Sequence, residues 1–124
     1  VRMTNVSLEP GDAGSLDDLI AATDDGIYME TNRSWSIDDR RLQFQFATEV
    51  AWEIKSGKRG RLLSNPSYAG ITPQFWGSMD AVGSESAWRL RGLTNCGKGE
   101  PGQIMAVSHG AAPARFRGVQ VGVA

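Results

Sequence analysis

At 124 residues the chain has the length of one ordinary domain, and with 40% hydrophobic and 22% charged residues it has the composition of a globular protein with its own core. Thirteen Lys and Arg against fourteen Asp and Glu leave a net charge of -1, which gives no attraction for a phosphate backbone and argues against nucleic acid as a partner. No apolar run reaches the roughly 18 residues of a membrane-spanning helix, and a single cysteine excludes an intrachain disulfide and fits a reducing, cytoplasmic setting. The opening Val1-Arg2-Met3-Thr4-Asn5 has neither an apolar targeting segment nor an initiator methionine, so a piece of a longer protein is expected.

The first element opens at Ser15, a hydroxyl N-cap followed by Leu16, Leu19, Ile20 and Thr23 on one face, with Asp17 and Asp18 in the electropositive first turn. This short helix should stop before Gly26, and Ile27-Tyr28-Met29 then begins a strand. Over residues 42–54 the even positions read Leu42, Phe44, Phe46, Thr48, Val50, Trp52 and Ile54, while Gln43, Gln45, Glu49 and Glu53 fall between them. That period of two predicts a long antiparallel strand, buried on one face and wet on the other, with a bulge or bend near Ala47-Thr48. Lys55-Ser56-Gly57-Lys58 reads as a hairpin turn returning through Leu62 and Leu63. A second helix is predicted from Thr72 as N-cap and Pro73 at its first position, running through Phe75, Trp76, Met79 and Val82 to a stop at Gly83. Residues 87–90, 104–107 and 115–121 read as further strands, separated by a Gly-rich segment around Cys96 and a break at residues 110–113. The expected fold is mainly β (α+β): an antiparallel barrel- or sandwich-like sheet covered by two short helices, forming one domain over residues 1–124.

Chemistry concentrates in Leu93-Thr94-Asn95-Cys96-Gly97-Lys98-Gly99, where the only cysteine lies among glycines with a lysine two residues on. Neighbouring cations and backbone N-H groups favour the thiolate, the form that attacks carbonyls or binds zinc. A lone cysteine in a tight turn is also commonly a small buried hydrophobe, and the residues alone leave both readings open. Residues 92–98 share the glycine and lysine spacing of a phosphate-binding loop. Gly99 stands where that loop needs a hydroxyl, however, and Glu100-Pro101 is a poor helix start. The sole histidine, His109, could act with Cys96, yet the two do not make a zinc set. Arg115-Phe116-Arg117 and the cluster Lys55, Lys58, Arg59 and Arg61 suit an anionic partner or a solvated strand and turn equally.

Taken in chain order, Arg2-Met3-Thr4-Asn5, Leu8-Glu9-Pro10-Gly11, Gly26-Ile27-Tyr28, Asn95-Cys96-Gly97-Lys98 and Val121-Gly122 resemble the C-terminal region of the TldD/PmbA proteins, also known as modulators of DNA gyrase. The likeness covers nearly the whole chain. It implies the C-terminal domain of a larger cytoplasmic zinc metallopeptidase that cleaves peptides or partly unfolded small proteins. In TldD-type members an upstream His-Glu-x-x-x-His helix supplies two zinc ligands and the general base, and a distant cysteine is the third ligand. The resemblance assigns that role to Cys96 and places the chain on the TldD side, since PmbA-type members lack metal ligands. It also implies a homodimer, or a heterodimer with a PmbA-like partner. With no His-Glu-x-x-x-His present, no catalytic residue is expected in this chain, which alone should be inactive and bind zinc weakly or not at all. The backbone N-H groups of Gly97 and Gly99 are expected to receive a peptide as an added strand. Residues 108–113 depart from the family, so His109 carries no assigned role. Two rival readings are a noncatalytic scaffold or regulator of the PmbA or gyrase-modulator type, and a thiol hydrolase using Cys96 with His109.

Overall fold

The computed structural model describes residues 1–123. Its elements are α1 (Leu16–Ala21), β1 (Asp25–Ile37), β2 (Gln43–Lys55), β3 (Lys58–Leu63), β4 (Pro66–Ile71), α2 (Thr72–Gly77), β5 (Met79–Val82), β6 (Arg89–Lys98), β7 (Gln103–Ala111), β8 (Ala114–Phe116) and β9 (Gln120–Val123), with a 3-10 turn at Glu85–Ala87. They build three antiparallel sheets: β1-β2-β4-β9 with β3 also paired to β2, the pair β5-β8, and the hairpin β6-β7. The main sheet does not close into a barrel, so the architecture is the sandwich-like one of the two expected.

α1 forms as its sequence directs. Ser15 caps it reciprocally with Asp18: the Asp18 N-H donates to the Ser15 hydroxyl at 3.2 Å, and the Asp18 carboxylate accepts from the Ser15 N-H at 2.7 Å. The helix buries Leu19 and Ile20 against the sheet, each contributing about 1.5–3 kcal/mol. Its end is held from two sides. The Ser56-Gly57 turn donates back to Asp24 and Thr23, while Arg115 donates to the Ala22 carbonyl at 2.8 Å and to the Thr23 hydroxyl at 3.3 Å.

β2 is the central strand, paired with β1 along its length and with β4 and β3 on its other edge. Its even face carries Phe44 and Phe46 into an aromatic cluster with Tyr68, Phe75 and Phe116, where Phe75 and Phe116 stack at 4.0 Å. The expected wet face is not wet throughout, because Ala47 and Ala51 are buried too. The irregularity foreseen near Ala47-Thr48 lies on the partner strand: Asn32 pairs with Thr48 and Ser34 with Ala47, so Arg33 is the extra residue.

Three boundaries differ from expectation. α2 ends at Gly77, its N-cap is Ile71, and Met79 and Val82 belong to β5. Thr72 instead turns its hydroxyl to the Arg41 and Leu42 carbonyls, which anchors the helix to the β1-β2 connection. Residues 115–121 do not form one strand, since Gly118 at φ 61° breaks the run between β8 and β9. Ala87 ends the 3-10 turn, so the strand expected over residues 87–90 begins at Arg89. Among the described residues no helix is long and apolar enough to cross a membrane.

Candidate functional site

Cys96 lies on β6 and not in a loop. The Gly-rich stretch around it is extended because β6 and β7 pair as an antiparallel hairpin, with Cys96 opposite Met105, Gly97 opposite Ile104 and Lys98 opposite Gln103. The reversal is made by Gly99-Glu100-Pro101-Gly102, and Lys98 Nζ donates to the Glu100 carbonyl at 3.2 Å. The thiol is half-buried and free. Gly97 and Gly99 are exposed, and a Cβ at Gly99 would meet nothing within 4 Å. On its outer edge β6 has no strand neighbour among the described residues.

The outer edge of β7 is occupied by the N-terminal segment. The Ser108 N-H donates to the Asn5 side chain at 2.8 Å, the Gly110 N-H donates to the Ser7 hydroxyl at 3.0 Å, and the Leu8 N-H donates to the Gly110 carbonyl at 2.8 Å. Arg2, at the start of this strap, donates from Nη2 to the Cys96 carbonyl. Two segments that carry the family resemblance, 2–5 and 95–98, therefore meet. Nothing local in the sequence signals this contact, since Arg2 and Cys96 lie 94 positions apart.

Other candidates separate. His109 pairs opposite Arg91, and its Nδ1 lies 2.9 Å from the Val6 carbonyl. It lies four positions along β7 from Met105, the partner of Cys96, which is roughly 13 Å at about 3.3 Å per residue. Proton transfer between the two needs hydrogen-bond reach, so a Cys96-His109 hydrolase is not assembled. Residues 92–98 form an extended strand leading to β7, with no helix to present its N-terminus to a phosphate.

Most of these basic residues have partners within the chain. Lys55 pairs with Asp25 and Arg61 with Glu53, while the Arg59 guanidinium sits 4.8 Å from the Tyr28 ring centroid and 5.2 Å from that of Trp52. Burial, then the bond to Glu30, pushes the Tyr28 hydroxyl up to about 12. Asp80 receives both Arg115 and Arg117, and these bonds hold its carboxyl at about 2. A cavity of about 610 Å³ opens between α1, β1 and the Arg115–Gly118 stretch, lined by Leu16, Ile20, Tyr28 and Phe116 among others.

Among the described residues no group of three or more His, Cys, Asp or Glu side chains gathers to hold a metal ion. Cys96 supplies the chain's one thiol, and a thiolate suits zinc as one ligand of a larger set. The residues fit a metal as a contributing member of a site.

The family model described as the PmbA/TldA metallopeptidase C-terminal domain matches residues 1–123. A metalloprotease of Methanothermobacter thermautotrophicus is 34% identical over 122 residues, covering 98% of this chain and 26% of its own length. A metalloprotease TldD homolog of Buchnera aphidicola subsp. Schizaphis graminum is 30% identical over 121 residues, again covering 98% of this chain and 24% of its own. The chain thus spans about a quarter of the length of these curated relatives. The crystal structure of a candidate modulator of DNA gyrase from Bacteroides thetaiotaomicron superposes with a TM-score of 0.62 at 20% identity, over 94% of this chain and 22% of that one, and at that identity it speaks to the fold alone.

Proposed function

The chain belongs to the PmbA/TldD metallopeptidase family as its C-terminal domain, and from that premise we propose that it lends the sulfur of Cys96 to the zinc site of a peptidase whose other ligands lie in the rest of the protein. The observation that carries this reading is the place of the only thiol: half-buried on an outlying strand, next to exposed glycines. A cysteine serving only as core filler would be buried. Zinc, when bound, supplies the Lewis acid that polarises a scissile peptide carbonyl.

The chain's own part is to place the sulfur and to bind substrate. The open outer edge of β6 beside Gly97 presents backbone groups to which an extended peptide can add as a strand. Recognition through the main chain suits peptides and partly unfolded small proteins of varied sequence. The full-length protein works in the cytoplasm as a homodimer or with a PmbA-like partner.

Zinc content and peptide cleavage by full-length wild type and Cys96→Ala test the reading. The variant is expected to lose both. Retention of both would favour the noncatalytic scaffold or regulator instead. Proline at Gly97 removes an N-H from β6 and proline at Gly99 removes one from the adjoining turn, and with either change KM in the full-length enzyme is expected to rise at least severalfold; unchanged kinetics would remove the strand-addition mode. The 124-residue chain alone is expected to hydrolyse no peptide.

A further inference from the structure

The Arg2 side chain crosses from the N-terminal strap to the cysteine strand and donates to the Cys96 carbonyl. Its placement follows from register. Asn5 meets Ser108 and Leu8 meets Gly110, so strap and β7 run in the same direction. Three residues before Asn5 stands Arg2, and three before Ser108 stands Met105, the residue opposite Cys96.

The carbonyl that Arg2 reaches belongs to a poorly held stretch of backbone. Leu93 pairs with Val107 and Cys96 with Met105, so β6 sets three residues against two and bulges just before the cysteine. Packing does not compensate: a Cβ at Gly92 or Gly99 would meet nothing within 4 Å, and one at Gly97 would come no nearer than 3.8 Å to a neighbour. A metal ligand has to be held to within about 0.5 Å. The strap provides an external fixing point at that level. Arg2 is committed to it, since its Nε and Nη1 are out of water and have no acceptor among the described residues. Arginines seldom accept such desolvation without a task.

We infer that Arg2 is a positioning residue that holds the Cys96 backbone so that the sulfur meets its metal in one place. The inference rests on the reading of Cys96 as a metal ligand. Arg2 acts through Cys96 and touches neither metal nor substrate. Loss of an outer partner of this kind lowers metal affinity about 10- to 100-fold.

The test uses the full-length protein with cobalt(II) in place of zinc, and follows the thiolate-to-cobalt charge-transfer band in wild type, Cys96→Ala, Arg2→Ala, Arg2→Gln and Arg2→Lys. Arg2→Ala and Arg2→Gln are expected to bind cobalt about 10-fold or more weakly, with a shifted or weakened band, at an unfolding midpoint close to wild type. Arg2→Lys keeps a charged donor and is expected to recover most of the affinity, which a merely structural role would not predict. If Arg2→Ala fails to fold, the Gln and Lys variants carry the comparison. Cobalt affinity within twofold of wild type in the folded variants, with the band unchanged, overturns the inference. In that case loss of the band in Cys96→Ala leaves the reading of Cys96 standing, whereas a band retained in Cys96→Ala overturns that reading too.

Discussion

Gly110 lies directly under the Trp88 indole, so close that a Cβ built there would fall 1.7 Å from a ring carbon. The ring is fixed by its Nε1, which donates to the Leu8 carbonyl at 2.9 Å. Trp88 cannot retreat without giving up the bond that ties it to the strap. Gly110→Ala is therefore expected to destabilise by about 3 kcal/mol or more in urea unfolding. Gly92→Ala, on the same hairpin with open space around it, should stay within about 0.5 kcal/mol of wild type. Asp80 gives a second test. Its folded-state value of about 2 lies below the ordinary carboxylate value, so its pairing with Arg115 and Arg117 stabilises fully above about pH 4 and is lost as pH falls toward 2. The difference in melting temperature between wild type and Asp80→Asn should be constant from pH 7 to about pH 5, then close as the solution is acidified.

The β2-β3 hairpin turns through Ser56 at φ 48° and Gly57 at φ 72°, both in the left-handed region that a type I′ turn demands. Glycine takes this conformation freely, while serine is strained there by of order 1 kcal/mol. Asparagine tolerates the region better, and Ser56→Asn is expected to raise the unfolding free energy by about 0.5 kcal/mol. Gly57→Ala should lower it, because the new Cβ would also sit 2.6 Å from the Ala21 carbonyl oxygen.

Elements of this kind were legible where local chemistry decides them: the Ser15 cap, the period of two in β2 and the Gly57 turn all lie where the residues place them. Elsewhere tertiary pairing decided. Met79 and Val82 sit at helical spacing after Pro73, yet pairing with Phe116 and Ala114 on β8 draws them into a strand. The glycines around Cys96 read as a loop because glycine is scarce in strands, but β7 supplies a partner for the whole stretch.

At the scale of the molecule, the site was legible at one residue. A lone cysteine among glycines is visible in any sequence, while its juxtaposition with Arg2 depends on a strap running beside β7 that no local spacing encodes. The β6-β7 hairpin also stands away from the main sheet, with Leu90 60% and Ile104 76% exposed. Apolar side chains so exposed favour association. Leu90→Lys with Ile104→Lys should reduce concentration-dependent self-association of the 124-residue chain in sedimentation while leaving its melting temperature within a few degrees of wild type.

The strap also sets an order in time. Asn5 finds its partner 103 residues later in the chain, so at about 5–20 residues per second the N-terminal segment leaves the ribosome roughly 5–20 s before the strand it will lie against. Throughout that interval it has to remain unpaired in the company of β1 and β2, each 13 residues long and able to recruit a stray extended segment. Arg2, Thr4, Asn5, Ser7 and Glu9 make it polar enough to wait in solvent. The cysteine strand is thus locked only after β7 has been made, and the guanidinium that reaches Cys96 belongs to the oldest part of the nascent domain.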